Sequence, residues 1–419
     1  VAVIGTGYVG LTTGASLAHF GHHVICADVS DARVAALTAG QIPFYEPGLA
    51  ELVQDCVQSG RLSFTTSNAQ AVEHAEFVFL CLPTPQGADG AADLSYVQQA
   101  AASIGPSLQP DAVVVNKSTV PVGAAQMVST IIDRADIHVV SNPEFLREGT
   151  AVADCLQPDR VVIGATDLPA AERLAALYQT NGAPVLITDP ASAETVKYAA
   201  NAFLAAKLSF INSVATLCEA FGANVTDVVR GMSLDHRIGT HFMSPGPGWG
   251  GSCLPKDTAA LVHMADESGY DFELLRSVIA ANDAHRERLV DKIERAAGGS
   301  LDGHCVAVWG LAFKAGTDDV RESPAVAVVC SLLARGAQVR AFDPQAKVAL
   351  DGVTQVGSAL AATEAADVLV VLTEWPEFTE VPLPQVAQGL RGTTIVDARN
   401  LLSRPAAAAA GLHVVGIGS

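Results

Sequence analysis

Charge is scarce in this sequence. Only 16% of its 419 residues are Asp, Glu, Lys or Arg, and aromatics make up 5%. Because 49% are hydrophobic, the scarcity reads as a globular protein with a sizeable core rather than a solvated polyelectrolyte. Basic residues are the rarer sign: 25 Lys and Arg face 44 Asp and Glu, a net charge of -19. Such a chain does not bind nucleic acid or anionic membrane non-specifically. A small anionic ligand is still allowed, since local lysines, arginines and backbone N–H groups set the field inside a pocket. The eight cysteines, at positions 26, 56, 81, 155, 218, 253, 305 and 330, form no CxxC pair. Neither a zinc site nor a disulfide scaffold is expected, and a reducing cytoplasm fits best. No apolar run is long and uninterrupted enough to span a bilayer, and no secretory signal is visible. An initiator methionine is also missing, so a few residues are expected to precede Val1.

What is present begins with a βαβ unit. The apolar strand Val1-Ala2-Val3-Ile4 runs into Gly5-Thr6-Gly7-Tyr8-Val9-Gly10, followed by a helical pattern from Leu11 to Phe20 and a strand ending at Asp28. GxGxxG alone is a weak signal, but here it follows a strand, opens a helix and precedes an acid at the right distance. The glycines permit a tight turn and close approach of a pyrophosphate at a helix N-terminus. Asp28 would hydrogen-bond the adenosine ribose and repel a 2′-phosphate, so NAD is expected over NADP. Arg33 is the one nearby feature that argues for NADP.

Further strands end in loops that carry chemistry. Phe77 to Leu82 leads into Pro83-Thr84-Pro85, a stiff loop lacking two backbone donors. Ala112 to Asn116 leads into Lys117-Ser118-Thr119-Val120-Pro121-Val122-Gly123. His138 to Ser141 leads into Asn142-Pro143-Glu144-Phe145-Leu146-Arg147-Glu148-Gly149. Ligands collect at the carboxyl ends of strands in an open parallel sheet, so Thr119, Glu144 and Glu148 are site candidates. The bland alternative for the two glutamates is a solvated helix face. A long helix is expected from about Ser192 to Phe221, with Lys197 and Asn201 on one apolar face. A buried lysine is costly unless paired, so Lys197 is either functional or snorkels at the helix edge.

The stretch Gly248-Trp249-Gly250-Gly251-Ser252-Cys253-Leu254-Pro255-Lys256-Asp257 is the centre of the chain. Its glycines allow a close approach to a ligand, and Pro255 suits the first turn of a helix. A thiol before a helix N-terminus and beside a lysine is where a thiolate is stabilised, and Asp257 is near enough to relay a proton. The other seven cysteines sit in apolar or helical contexts and read as structural. After a helix from Phe272 to Ala297, Cys305 to Gly310 starts a second α/β domain. It has the rhythm of a dinucleotide fold without GxGxxG, which suggests a different nucleotide with Lys314 as a contact. Residues 405–411 are alanine-rich and without visible chemistry.

An NAD enzyme that only oxidises an alcohol does not need a thiol. A thiol becomes useful when the resulting aldehyde must be oxidised again: it adds to the carbonyl, and the thiohemiacetal gives up a second hydride to leave a thioester. With these motifs in order along nearly the whole chain, the sequence resembles the UDP-glucose/GDP-mannose dehydrogenase family. Lys197-Tyr198-Ala199-Ala200-Asn201-Ala202-Phe203 and Phe313-Lys314 through Arg321-Glu322-Ser323-Pro324 add to that resemblance. The segment 145–149, with Pro158-Asp159-Arg160-Val161-Val162-Ile163-Gly164, is most similar to its UDP-glucose-oxidising members.

The resemblance implies an α/β fold of two Rossmann-like doubly wound domains joined by a long central helical region. Residues 1–190 would bind NAD, 191–298 would form a helical dimerisation region carrying the cysteine loop, and 299–419 would bind the UDP-sugar. It implies four-electron oxidation of UDP-glucose at C6 to UDP-glucuronate. Cys253 would be the nucleophile, Lys197 and Asn201 would stabilise the oxyanion, Asp257 and Thr119 would hold the proton network, and Glu144 would activate water. Gly5, Gly7, Tyr8, Val9, Gly10, Asp28, Arg33, Thr84, Pro85, Ser118, Thr119, Glu148, Lys256 and Arg321 would face the cofactor. The UDP-sugar would meet Glu144, Phe145, Leu146, Arg147, Glu148, Lys197, Asn201, Phe242, Ser244, Gly246, Gly248, Trp249, Gly250, Phe313 and Lys314. Arg237 would reach the substrate of a neighbouring subunit in a homodimer. No metal, nucleic acid or membrane partner is expected. The loop Ser244-Pro245-Gly246-Pro247 departs from some members in lacking a basic residue for the diphosphate. GDP-mannose, a UDP-N-acetylhexosamine, a two-electron hydroxyacid oxidation and a non-catalytic nucleotide sensor remain open alternatives.

Overall fold

The computed structural model describes residues 1–87, 89–179 and 182–419. Its contacts divide the chain into two units, one of Val1–Ala200 with Ala259–Gly269 and one of Asn201–Thr258 with Tyr270–Ser419. The first holds an eight-stranded sheet: β1 (Ala2–Ile4), β2 (Val24–Ala27), β3 (Leu62–Thr65), β4 (Phe77–Leu80), β5 (Val113–Asn116), β6 (His138–Ser141), β7 (Val161–Gly164) and β8 (Val185–Thr188). Their spatial order is β3-β2-β1-β4-β5-β6-β7-β8. The order reverses between β1 and β4, the crevice where nucleotides bind in doubly wound sheets.

The strands β1, β4, β5 and β7 are apolar runs buried along their whole length, as in a sheet covered on both faces, whereas the edge strand β8 has no fully buried residue. Successive residues alternate between two cores, with Val3, Cys26, Phe79 and Val115 in one and Ala2, Ile4, Val78 and Val114 in the other. The sheet departs from the parallel arrangement expected: β6 meets β7 antiparallel at Ser141 and Gly164, and β7 and β8 pair parallel to each other. The short strand β3 escaped notice because Leu62–Thr65 has only one fully buried residue.

The second unit holds β9 (Cys305–Trp309), β10 (Gln338–Phe342), β11 (Val353–Gln355), β12 (Val368–Val371), β13 (Thr394–Asp397) and β14 (His413–Gly416), ordered β11-β10-β9-β12-β13-β14. All its pairings are parallel, and its reversal falls between β9 and β12. The turn after β9 repeats the turn after β1. Gly310 has φ +95° and donates to the Phe342 carbonyl at 2.8 Å; Gly5 has φ +97° and donates to the Ala27 carbonyl at 2.7 Å. Each turn is then held by an acid at the end of the second strand, Asp28 in one and Asp343 in the other. The second sheet is thus a dinucleotide-type sheet that has kept the first glycine and lost the rest of the fingerprint.

The helix Pro190–Phe221 begins in the first unit and ends in the second, and the second unit adds Val225–Ser233 and Glu273–Ala296. The helix Leu254–Glu267 starts directly after the cysteine loop. Pro190–Phe221 is long and apolar enough to cross a membrane by length and composition alone, but its apolar stretch is interrupted by charged residues and 44% of its apolar window is buried in protein. It carries Phe203, Phe210, Leu217 and Phe221 exposed by 50% or more. The first three recur every seven residues, which puts them along one side of the helix.

Candidate active site

The first glycine loop is built for close approach. A Cβ on Gly5 would strike the Cys81 carbonyl and one on Gly10 the Gly5 carbonyl, whereas nothing lies within 4 Å of a Cβ position on Gly7. Two glycines thus permit the turn, and the third leaves open space for a ligand. The helix begins at Tyr8 rather than Leu11, so Tyr8, Val9 and Gly10 form its first turn with N–H groups free of intrahelical partners. Asp28 closes the cradle. Its Oδ2 accepts from Thr6 N–H at 3.0 Å, Thr6 Oγ1 at 2.7 Å and Arg33 Nη1 at 3.3 Å, and its Oδ1 accepts from Ser30 N–H at 3.0 Å. Burial pushes the Asp28 carboxyl up, but these donors and Arg33 outweigh it and hold it below its ordinary value. These residues fit the dinucleotide: open space at a helix start, and a carboxylate at the end of β2.

The strand-end loops assemble in the same unit. Ser118 Oγ donates to the Leu82 carbonyl and accepts the Leu82 N–H, both at 2.7 Å, and Thr84 Oγ1 donates to the Thr119 carbonyl at 2.9 Å. Ser118, Thr119 and Thr84 are buried, whereas Pro85 is exposed. Glu144 and Glu148 do not lie on a solvated face: they are 5% and 9% exposed. Glu144 Oε1 pairs with Lys197 Nζ at 3.0 Å, and its Oε2 accepts the Leu146 N–H at 2.6 Å. The Phe145 ring lies 3.6 Å beneath the Arg160 guanidinium and 5.6 Å from Lys197 Nζ. Arg147 is exposed and paired with Asp154 at 2.5 Å. Beside Lys197, a cavity lined by Asn116, Ser118, Thr119, Ser141 and Glu194 has room for about one water molecule.

In the second unit, Cys253 stands immediately before the helix Leu254–Glu267, whose first turn contains Pro255, Lys256 and Asp257. The Asp257 N–H donates to the Cys253 carbonyl at 2.9 Å, which makes Cys253 the capping position. An anion is favoured at such an end by the helix dipole. Asp257 is fully buried; its Oδ2 accepts from Asn201 Nδ2 at 2.6 Å and its Oδ1 pairs with Lys256 at 2.7 Å. Asn201 is one helical turn beyond Lys197, on the helix that carries both. Lys256, expected at the cofactor, has its ammonium beside Asp257. A Cβ on Gly251 would meet the Phe313 ring at 2.7 Å, so the cysteine loop packs against Phe313, with Lys314 Nζ 5.6 Å from that ring. Trp249 is buried and donates through Nε1 to Ser209 Oγ at 2.9 Å, and Gly246 N–H is held by Asn212 at 2.9 Å.

Other candidates are dispersed. Arg237 is 78% exposed and paired with Asp235, and Arg321 is 67% exposed and paired with Asp319. Phe242 has a left-handed backbone at φ +59°, and Ser244 is exposed. Two structural features had no sequence signal. Arg399 lies against Gly246 and donates to the carbonyls of Phe313 and Leu372, bringing a guanidinium to the loop that lacks a basic residue of its own. Glu46 is a buried carboxyl beside Tyr8. Of the cysteines read as structural, burial pushes Cys26 up to about 12 and Cys155 up to about 11, as expected of inert thiols, but Cys330 is exposed.

Comparison with known proteins agrees along the whole chain. Residues 1–181 match the UDP-glucose/GDP-mannose dehydrogenase family NAD binding domain, 191–284 its central domain and 307–404 its UDP binding domain. The UDP-glucose 6-dehydrogenase TuaD of Bacillus subtilis (strain 168) is 44% identical over 428 aligned positions, covering 100% of this chain and 93% of the relative. A UDP-glucose 6-dehydrogenase of Rhizobium meliloti (strain 1021) is also 44% identical, over 100% of this chain and 99% of the relative. Among solved structures, a UDP-glucose dehydrogenase from the archaeon Pyrobaculum islandicum superposes with TM-score 0.89 at 40% identity, over 96% of this chain and 94% of that one. A UDP-D-ManNAc dehydrogenase from Pyrococcus horikoshii reaches the same TM-score at 28% identity, over 100% and 98%. With a dinucleotide cradle in one unit, a cysteine at a helix start in the other and full-length identity of this order, the chain belongs to the UDP-glucose/GDP-mannose dehydrogenase family, and its cofactor is NAD.

Proposed function

We propose that this chain oxidises C6 of UDP-glucose to the carboxylate of UDP-glucuronate in two hydride transfers. The observation that carries the reading is the start of the helix Leu254–Glu267, where Cys253 caps the helix and Asp257 holds both Asn201 and Lys256. NAD, when bound, accepts the hydride. In the first transfer C6 loses a hydride and its hydroxyl a proton, giving an aldehyde. The Cys253 thiolate adds to that carbonyl, and the oxyanion takes up a proton. Loss of the second hydride and of the hydroxyl proton leaves a thioester, and attack by water expels the Cys253 thiolate and releases the acid.

Lys197 and Asn201 supply donors to the oxygen on C6, which carries negative charge in the carbonyl-addition steps. Asp257 orients the Asn201 amide, and Thr119 completes the proton network. Glu144 is a charged carboxylate and so is in the state that can take a proton from the attacking water, although its pairing with Lys197 lowers its basicity. The loop 144–148 and the segment 242–250 receive the sugar and diphosphate, with Phe313, Lys314 and Arg399 on the nucleotide. Residues 1–190, 191–298 and 299–419 divide the work into cofactor domain, helical middle and UDP-sugar domain.

The row Phe203, Phe210 and Leu217 is the contact between two copies, and each copy's Arg237 completes its partner's site. The exposed apolar row and the single exposed pairing of Arg237 support this. A reducing cytoplasm suits a catalytic thiol and the seven others. The test is the NADH formed per mole of limiting UDP-glucose, followed by absorbance. About two equivalents are expected from the thioester route. About one would mean a simple alcohol oxidation in which Cys253 takes no part. Turnover only of a UDP-N-acetyl sugar or GDP-mannose would move the substrate within the family.

A further inference from the structure

Glu46 takes no part in the chemistry above, yet it links two parts of it. It lies in the connection between the helices Asp31–Thr38 and Leu49–Gln58, and it is 6% exposed. Its Oε2 accepts the Tyr8 hydroxyl and the Gly149 N–H at 2.6 Å, and its Oε1 accepts the Ala151 N–H at 2.7 Å. Tyr8 opens the helix of the dinucleotide cradle, and Gly149 closes the loop that carries Glu144, Arg147 and Glu148. Phe44, two residues before Glu46, packs on the Tyr8 ring with centroids 5.2 Å apart. Burial and the Glu46 carboxyl push the Tyr8 phenol far above its ordinary value, so its hydroxyl stays a donor.

We propose that Glu46 is a positioning residue that makes the cofactor cradle and the 144–149 loop move as one, so that NAD and the UDP-sugar alter each other's affinity through it. A carboxyl with both oxygens engaged from two elements cannot follow a shift of one without straining its bonds to the other. Coupling of this kind is reciprocal: whatever factor NAD imposes on the sugar nucleotide, the sugar nucleotide imposes on NAD. The inference rests on the reading that the 144–148 loop touches the UDP-sugar.

The test is calorimetric titration of UDP-glucuronate into the full chain with and without saturating NAD. This pair cannot react further. Wild type, Glu46→Gln and Tyr8→Phe are compared. Gln puts an NH2 where an N–H donor points, while Phe removes only the hydroxyl. NAD should change the wild-type Kd of UDP-glucuronate by about fivefold or more, and both variants should bring that factor below about twofold while still binding UDP-glucuronate alone. A merely structural Glu46 would lower Tm and leave the factor unchanged, and that result overturns the proposal. So does a wild type with no coupling. Should Glu46→Gln fail to fold, Tyr8→Phe alone decides. An Arg147→Ala variant separates the two failures: wild-type affinity for UDP-glucuronate there removes the loop from the substrate site, whatever the coupling does.

Discussion

Glu144 and Lys197 meet at 3.0 Å with side chains only 5% and 4% exposed. Two charges withdrawn from water this far depend on each other for much of their compensation. Removing Lys197 leaves the Glu144 charge buried without its ion-pair partner, with the Leu146 N–H and Lys117 remaining. Lys197→Ala should therefore lower stability by about 3–5 kcal/mol, read by urea unfolding, as well as lowering turnover. A loss under about 1 kcal/mol would mean that the pair is open to solvent.

Glu144→Gln keeps the shape of the side chain and removes its basicity. Release of the acid should slow by about a hundredfold, and a UDP-glucuronyl adduct should accumulate on Cys253, visible as added mass on the intact protein. Cys253→Ala should form neither acid nor adduct. Normal turnover by Glu144→Gln with no adduct would take the water-activating role from Glu144.

The same pair sets an acid limit. Burial pushes the Glu144 carboxyl up, but Lys197, the Leu146 N–H and Lys117 outweigh it, and it lies below its ordinary value of 4.5. A carboxyl lowered in the folded state contributes stability that is full above the ordinary value and lost as pH falls through the lowered one. Urea midpoints should fall more steeply for wild type than for Glu144→Gln over that acid range. Equal slopes would show that this carboxyl titrates alike in the folded and unfolded chain.

Asp28 should decide the cofactor. Its carboxyl is kept charged by Thr6, Ser30 and Arg33, so a 2′-phosphate meets a negative group already in place. Asp28→Ser should shift the NAD to NADP ratio of kcat/KM by about tenfold toward NADP, equivalent to ~1.4 kcal/mol. With Arg33 then free of its carboxylate, Arg33→Ala in the same background should reverse part of that gain.

Arg237 offers a test of the pair of subunits. Mixing Cys253→Ala and Arg237→Ala chains and allowing exchange should restore activity to about a quarter of wild type, because one site in each mixed dimer has both residues. No recovery would mean that Arg237 serves its own chain. Phe210→Glu should shift the mass measured by light scattering toward the monomer.

Legibility followed locality. The cradle from Gly5 to Asp28 could be read because every part of it falls within one βαβ unit, and the cysteine loop because its glycines, thiol and helix start are contiguous. The buried state of Lys197 was suggested by its apolar neighbours, but its partner was not, since Glu144 is 53 positions away on another element. Glu46 left no trace for the same reason: it meets Gly149 across 103 positions. Arg399 looked like an ordinary arginine after a strand until the chain brought Gly246 beside it. The strands β3, β11 and β14 are edge strands with at most one fully buried residue each, so no apolar run marked them, and the reversal at β7 depends on a connection whose direction no periodicity encodes.

The repeated turn after β1 and β9 has an evolutionary reading. Asp343 Oδ2 accepts from the N–H groups of Leu311 and Ala312, as Asp28 accepts from Thr6, but its next donor is the buried Trp375 indole at 3.1 Å, where Asp28 meets an arginine. If the two halves descend from one duplicated ancestor, the second has walled up with tryptophan the place where a ribose would sit. Changes at Asp28 should register in cofactor choice as well as in stability, whereas changes at Asp343 should register in stability.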